Sequence, residues 1–250
     1  MRQLETQLKS ALAQRQQQGR PLHLFFRDDD VDEDEASLRE LLGIFLHHEA
    51  PVNLAVIPGR LTPSAADLLD GYCRRHPSLL ELNQHGWQHI NHETEGRKCE
   101  FGPHRAFSEQ FADIASGQAR MNEAFGPRWF PAFVPPWNRC TANTGRALDQ
   151  LGFRVLSRNR SQPPLASNGF CELPITLDLF SWRGGATLRP PEELAQELIQ
   201  QIGQEDHIGV MLHHKVMDEA AFALLVMLLK VMRPSEIIRF HTFQTLLTVM

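Results

Sequence analysis

The chain has 250 residues, 42% of them hydrophobic and 22% charged, with 16 glycines and 16 prolines. That composition belongs to a globular protein with a real core and excludes collagen-like and disordered chains. A net charge of −5 argues against an electrostatic grip on nucleic acid or on an anionic membrane.

The first predicted element is a polar helix over residues 1–20, with Leu4, Leu8 and Leu12 at helical spacing and Gly19 as its stop. It lacks the apolar core of a secretory signal. Residues 22–26 read as a buried strand that ends in Arg27, Asp28, Asp29 and Asp30. A helix follows over 35–48, a buried strand over 51–57, a helix over 64–75 and a strand over 79–83 that runs into His85. Residues 106–125 predict a long helix, 132–134 a strand ending in Pro135 and Pro136, 141–152 a helix and 153–156 a strand. Extended segments broken by Pro174 occupy 169–179. A helix over 191–202 precedes a strand over 208–212 that ends in His213 and His214. A helix over 222–232 and a closing segment over 236–247 complete the chain.

Strands alternate with helices about seven times, which predicts a parallel sheet or barrel in one domain over 21–250. The longest apolar run, 220–232, contains Lys230 and is too short to cross a bilayer. Cys73, Cys99, Cys140 and Cys171 are scattered without a C-x-x-C pair, as expected for reduced thiols in a cytoplasmic protein. Oligomeric state leaves no signature.

Histidine is the unusual residue, with 12 copies against one tyrosine. It is the commonest metal ligand and the usual acid or base near neutral pH. Four predicted strand ends carry chemically capable residues: the three aspartates, His85, residues 135–139, and His213 with His214. In α/β folds such ends converge on the active site. His85 and His89 are four apart, so on a helical turn they share a face and can bind one cation, with His92 continuing the stripe. Chance surface histidines are the bland alternative, but three within eight residues after a strand favour a metal. Asp28, Asp29 and Asp30 repel one another unless a cation compensates. A solvated loop or helix start accounts for Asp32, Glu33, Asp34 and Glu35 better than for these three. Trp87, Trp137 and Trp182 offer flat apolar faces. Trp137, beside Pro136, is the best wall, whereas Trp182 is equally readable as a core aromatic.

Together these pieces resemble the polysaccharide deacetylase (NodB-homology) family. Its T-F-D-D-G motif is matched by residues 26–31, its H-S/T-x-x-H by His85-Gly86-Trp87-Gln88-His89, its R-x-P-Y-G-like motif by residues 134–139, and its L-x-H by Met211-Leu212-His213. The resemblance implies a single distorted (β/α) barrel of about seven parallel strands. It also implies a zinc-dependent hydrolase (another divalent metal would serve) that cleaves a C–N amide bond by removing acetyl from an N-acetylated sugar or related small molecule. By the same resemblance His85 and His89 bind metal and His213 is the general acid. The preferred register makes Asp29 the base and Asp30 the third ligand, and the alternative makes the pair Asp28 and Asp29. Pro136, Trp137 and Arg139 would line the substrate.

Departures mark a divergent subgroup. Val134 stands where the family has the arginine that orients the base, with Arg27 or Arg139 as substitutes, and His214 stands where the family often has aspartate. Residues 178–182 only loosely echo the fourth motif. The loops 93–105 and 157–170 would set specificity, and Arg97, Lys98, His104 and Arg105 would hold an anionic group or form a solvated loop. Two readings compete. Asp28 and Asp30 also fit the D-x-D of Mg2+-dependent haloacid-dehalogenase-like phosphatases, although Lys215 and Asp218 match that class poorly. Alternatively, the chain is a non-catalytic metal- or carbohydrate-binding module.

Overall fold

The structure, a computed structural model, describes residues 2–165 and 169–250; residues 166–168 of the expected specificity loop lie outside the described residues. In chain order the elements are helix α1 (Arg2–Gln17), strand β1 (Leu22–Val31), α2 (Ala36–His47), β2 (Val52–Val56), α3 (Pro63–Arg75), β3 (Leu80–His85), α4 (Phe107–Phe125), β4 (Trp129–Val134), α5 (Ala142–Leu151), β5 (Val155–Leu156), β6 (Cys171–Glu172), β7 (Leu177–Asp178), β8 (Phe180–Ser181), β9 (Thr187–Leu188), α6 (Pro191–Gln204), β10 (His207–Leu212), α7 (Glu219–Met232), β11 (Ile238–His241) and α8 (Phe243–Leu246). They fall into two compact units. One contains Met1–Asp28, Glu35–Val52 and Thr176–Met250, and the other Asp29–Asp34 and Asn53–Ile175.

In the first unit β1 runs parallel to β10, with Phe26 beside Val210 and Asp28 beside Leu212, and parallel to β11, with Leu24 beside Phe240. β10 in turn pairs in parallel with β7. Helix α1 packs on α6 and α7. Its Leu4, Leu8 and Leu12 are buried as their spacing predicts, each burial stabilising by about 2 kcal/mol. The polar reading of this helix missed Arg15, whose guanidinium is buried. Arg15 donates to the carbonyls of Ile202 (2.6 Å) and Glu205 (2.7 Å) at the end of α6, and to those of Arg20 and Pro21. The ends of helices leave carbonyls without partners, and here one side chain supplies the donors.

In the second unit the strand order is β6-β5-β4-β3-β2, and β3 pairs with β4, β4 with β5 and β5 with β6 in parallel. The register of β3 on β4 shifts between Leu82 and Gln84. Such irregularities re-aim side chains, often beside sites, and here the shift lies just ahead of His85. Phe101, Phe133 and Phe153 build the core with edge-on ring contacts.

Several boundaries differ from the sequence expectation. β1 does not stop at Phe26 but continues through the acids to Val31, because Asp28 and Asp29 are buried rather than solvated. The carbonyl of Val31 still accepts the N–H of Ile57, at 2.9 Å. Helix α7 starts at Glu219, where the Asp218 carboxylate accepts the N–H of Ala221. The closing segment splits into β11 and α8. The antiparallel pair β8–β9 was not expected. No helix among the described residues is long and apolar enough to cross a membrane.

Candidate metal centre

In the second unit, Asp30 lies near the end of β1, His85 is the last residue of β3, and His89 sits in the following bend. Nε2 of His85 and Nε2 of His89 each lie 3.2 Å from Oδ1 of Asp30, and one ligand atom from each residue lies within 4.8 Å of the other two. Bonds of about 2.0–2.1 Å around a tetrahedral cation put neighbouring ligands about 3.3 Å apart, so the donor set and its spacing fit one divalent ion. Nδ1 of His85 lies 3.0 Å from the carbonyl of Val134. A carbonyl only accepts, so Nδ1 carries the proton and Nε2 presents its lone pair. The pKa of His89 is pushed down to about 4, by burial first and then by His85, with Asp30 and Asp29 opposing. Its ring is therefore neutral at pH 7, the form that binds metal.

The two imidazoles do not share a helical turn, as the four-residue spacing suggested. Residues 86–92 form a bend in which Gly86 (φ +54°) and His89 (φ +57°) are left-handed, and the rings meet with centroids 5.2 Å apart. His92 does not continue a stripe. It is exposed, and its N–H donates to the carbonyl of Cys99. Asp30 is also left-handed, at φ +68°, a conformation that costs a non-glycine residue about 1–2 kcal/mol. Strain of this kind clusters at functional sites.

Trp137 packs against His89, ring centroids 4.3 Å apart, and Pro136 is buried beside Gly86. Arg139 donates to the carbonyl of Lys98, at 2.8 Å. In the basic loop, His104 pairs with Glu93 and Arg105 with Asp113, so both already have acidic partners. Two buried side chains that sequence reading missed hold this region. Gln84 donates to the carbonyls of Gly86 and Ile114, and Glu100 accepts from the bend itself. The position of Gln84 directly after the predicted strand and before His85 was its available signal, and Glu100 had none.

In the first unit, Asp28 and His214 are both fully buried. Oδ1 of Asp28 accepts the main-chain N–H of His214 at 2.8 Å, and Oδ2 lies 2.6 Å from Nδ1. Burial alone would lower the pKa of His214, but the charge and hydrogen bond of Asp28, with Glu35 behind them, raise it overall. With both oxygens engaged, Asp28 is poorly placed to be a phosphatase nucleophile. Arg27 is buried, with Nη2 3.0 Å from Sδ of Met211. His213 packs edge-on against Trp182, centroids 4.5 Å apart, and the Trp182 indole donates to Asp178 at 2.8 Å. Trp182 is 48% exposed, which removes the core-aromatic option.

No protein-family model and no curated sequence matches the chain. Solved structures do. A protein from Mycobacterium smegmatis assigned to the polysaccharide deacetylases superposes with a TM-score of 0.69 at 15% identity, over 92% of this chain and 90% of that one. A family 4 acetyl xylan esterase from Clostridium thermocellum, in complex with a cobalt ion, gives 0.60 at 17% over 91% of each chain. A peptidoglycan N-acetylglucosamine deacetylase gives 0.58 at 13%, over 89% of this chain and 86% of that one. The fold is thus the deacetylase-type (β/α) barrel, built of mostly parallel strands with flanking helices.

Proposed function

We propose that the protein is a metal-dependent hydrolase of the polysaccharide deacetylase type that removes an acetyl group from an N-acetylated sugar or related small molecule. The observation that carries this reading is the convergence of Asp30, His85 and His89, with ligand spacing and a metal-ready tautomer, on a fold shared with deacetylases. Residues 21–250 form the catalytic domain of this reading, and the substrate is met in the cytoplasm.

Asp30, His85 and His89 would hold Zn2+ or another divalent cation, which supplies Lewis acidity and brings the pKa of water toward neutrality. The chain supplies the proton transfers. Asp29, the residue before the candidate ligand, takes the proton of the attacking water, and His213 gives a proton to the leaving amine, the role its motif implies. Trp137 and Pro136 provide an apolar wall for a sugar ring, and Arg139 steadies that wall through the carbonyl of Lys98. Asp28 is engaged by His214 and Asp30 faces both imidazoles, which favours Asp29 with Asp30 over Asp28 with Asp29 as the base and ligand pair.

The test is acetate release by metal-stripped and Zn2+- or Co2+-reconstituted protein on N-acetylglucosamine, its short oligomers and small aryl acetamides. Release that depends on added metal and disappears in His85→Ala is expected. Bound metal without turnover across this panel would instead favour a binding module.

A further inference from the structure

Glu100 belongs to no motif, yet its side chain is 1% exposed and reaches the bend between the two imidazoles. Oε2 accepts the N–H of Trp87 at 3.2 Å, and Oε1 accepts the N–H of Gln88 at 2.8 Å and that of Ile90 at 3.5 Å. These amides flank His89 on both sides. A bend without helical hydrogen bonds leaves such donors to be satisfied by side chains, and one carboxylate serves all three. A Cβ at Gly86 would fall 2.1 Å from Oε2 of Glu100 and 2.6 Å from the ring of Pro136. Glycine at 86 and the acid at 100 are therefore matched, because the carboxylate occupies the space a side chain beside His85 would need. Glu100 is itself anchored. Its carbonyl accepts from Arg105, which is paired with Asp113 on α4, and the next residue, Phe101, bridges to Cys140.

We propose that Glu100 is a positioning residue for the metal centre: its carboxylate fixes the bend so that Nε2 of His85 and Nε2 of His89 converge on Asp30. This rests on the reading of that trio as a metal site. Glu100 touches neither cation nor substrate in this role. It acts through the main chain of residues 87–90, and a change there is felt as a change in ligand geometry.

The experiment is a Co2+ titration of metal-stripped full-length protein, followed by visible absorption, on wild type, His85→Ala, Glu100→Gln and Glu100→Ala, with thermal unfolding of each metal-free protein. Glu100→Gln keeps the volume but turns an NH2 group toward amide donors. It is expected to raise the Kd for Co2+ about 10–100-fold, the usual cost of losing a group that orients a ligand, and Glu100→Ala at least as much. A Kd equal to wild type in Glu100→Gln overturns the proposal, whether or not its unfolding temperature falls, because a purely structural role predicts that result. If Glu100→Ala does not fold, Glu100→Gln decides. Absence of Co2+ binding by wild type, or undiminished binding by His85→Ala, would instead overturn the metal reading, which keeps the two failures distinct.

Discussion

The carboxylate of Asp28 holds His214 twice, by its main-chain N–H at 2.8 Å and by Nδ1 at 2.6 Å, with both side chains fully buried. Removing one partner of a buried pair leaves the other without compensation, which costs about 3–5 kcal/mol. Asp28→Ala is expected to lose that much in urea unfolding. The double variant with His214→Ala should lose less than the sum of the two single losses, because contacting residues couple. Additive losses would show that the pair is not an energetic unit.

The proposed metal ligands separate from the proposed base by a different measurement. Asp30→Asn, His85→Ala and His89→Ala are expected to emerge from purification without stoichiometric metal by elemental analysis. Asp29→Asn should retain metal and lose turnover by about 10²–10⁴-fold, the span of general base catalysis. Retained metal in Asp30→Asn with loss in Asp29→Asn would move the ligand by one residue.

In the first unit, the buried Arg15 guanidinium donates to four main-chain carbonyls, of which that of Ile202 is buried. Arg15→Met leaves the buried carbonyl of Ile202 without this donor, at about 1–3 kcal/mol, and exposes the part-buried ones to water at less cost, so a loss of about 2–3 kcal/mol is expected on unfolding. Arg15→Lys should recover only part of it, since an ammonium lacks the planar fork that spans several acceptors. Full recovery by lysine would mean that charge alone, opposite Asp206, matters.

A pH dependence follows from the histidines on neighbouring strands β1, β10 and β11. Nδ1 of His23 lies 2.9 Å from Nε2 of His241, and the His23 ring also stacks on His207. The pKa of His241 is pushed down to about 4, by burial first and then by His23 and His207, and that of His23 is lowered by burial first and then by His207 and Arg239. His241 stays neutral in the folded state well below the pH at which it protonates in the unfolded chain, and His23 is shifted in the same direction. The unfolded state then binds more protons, so stability falls as pH drops from about 6.5 toward 4 and is insensitive to these groups above that range. His241→Phe should flatten this part of a urea-midpoint against pH curve.

Side-chain chemistry was readable where it declares itself by residue type. Asp30, His85 and His89 stood out as candidate ligands at or just beyond strand ends, and the structure brings the three together; the parallel strands followed from apolar runs alternating with helical spacing. The helical turn expected for residues 85–89 is absent, and a left-handed bend brings the two rings together instead. Choosing among three identical aspartates was beyond sequence, because it depends on His214, which is remote in the chain, meeting Asp28. Glu100 and Arg15 were invisible for a related reason. Their partners are backbone atoms, which every residue has, so nothing in the partner's identity marks the contact.

The left-handed backbone at Asp30 and His89 sets folding against the proposed metal-binding role. Asp30→Gly would relieve strain of about 1–2 kcal/mol at that position, an amount that glycine does not incur, and would erase the carboxylate in the same step. Selection of variants for thermal stability alone, in the absence of metal, should therefore drift toward glycine at 30 and 89. The survivors would be sturdier proteins with nothing left to hold an ion.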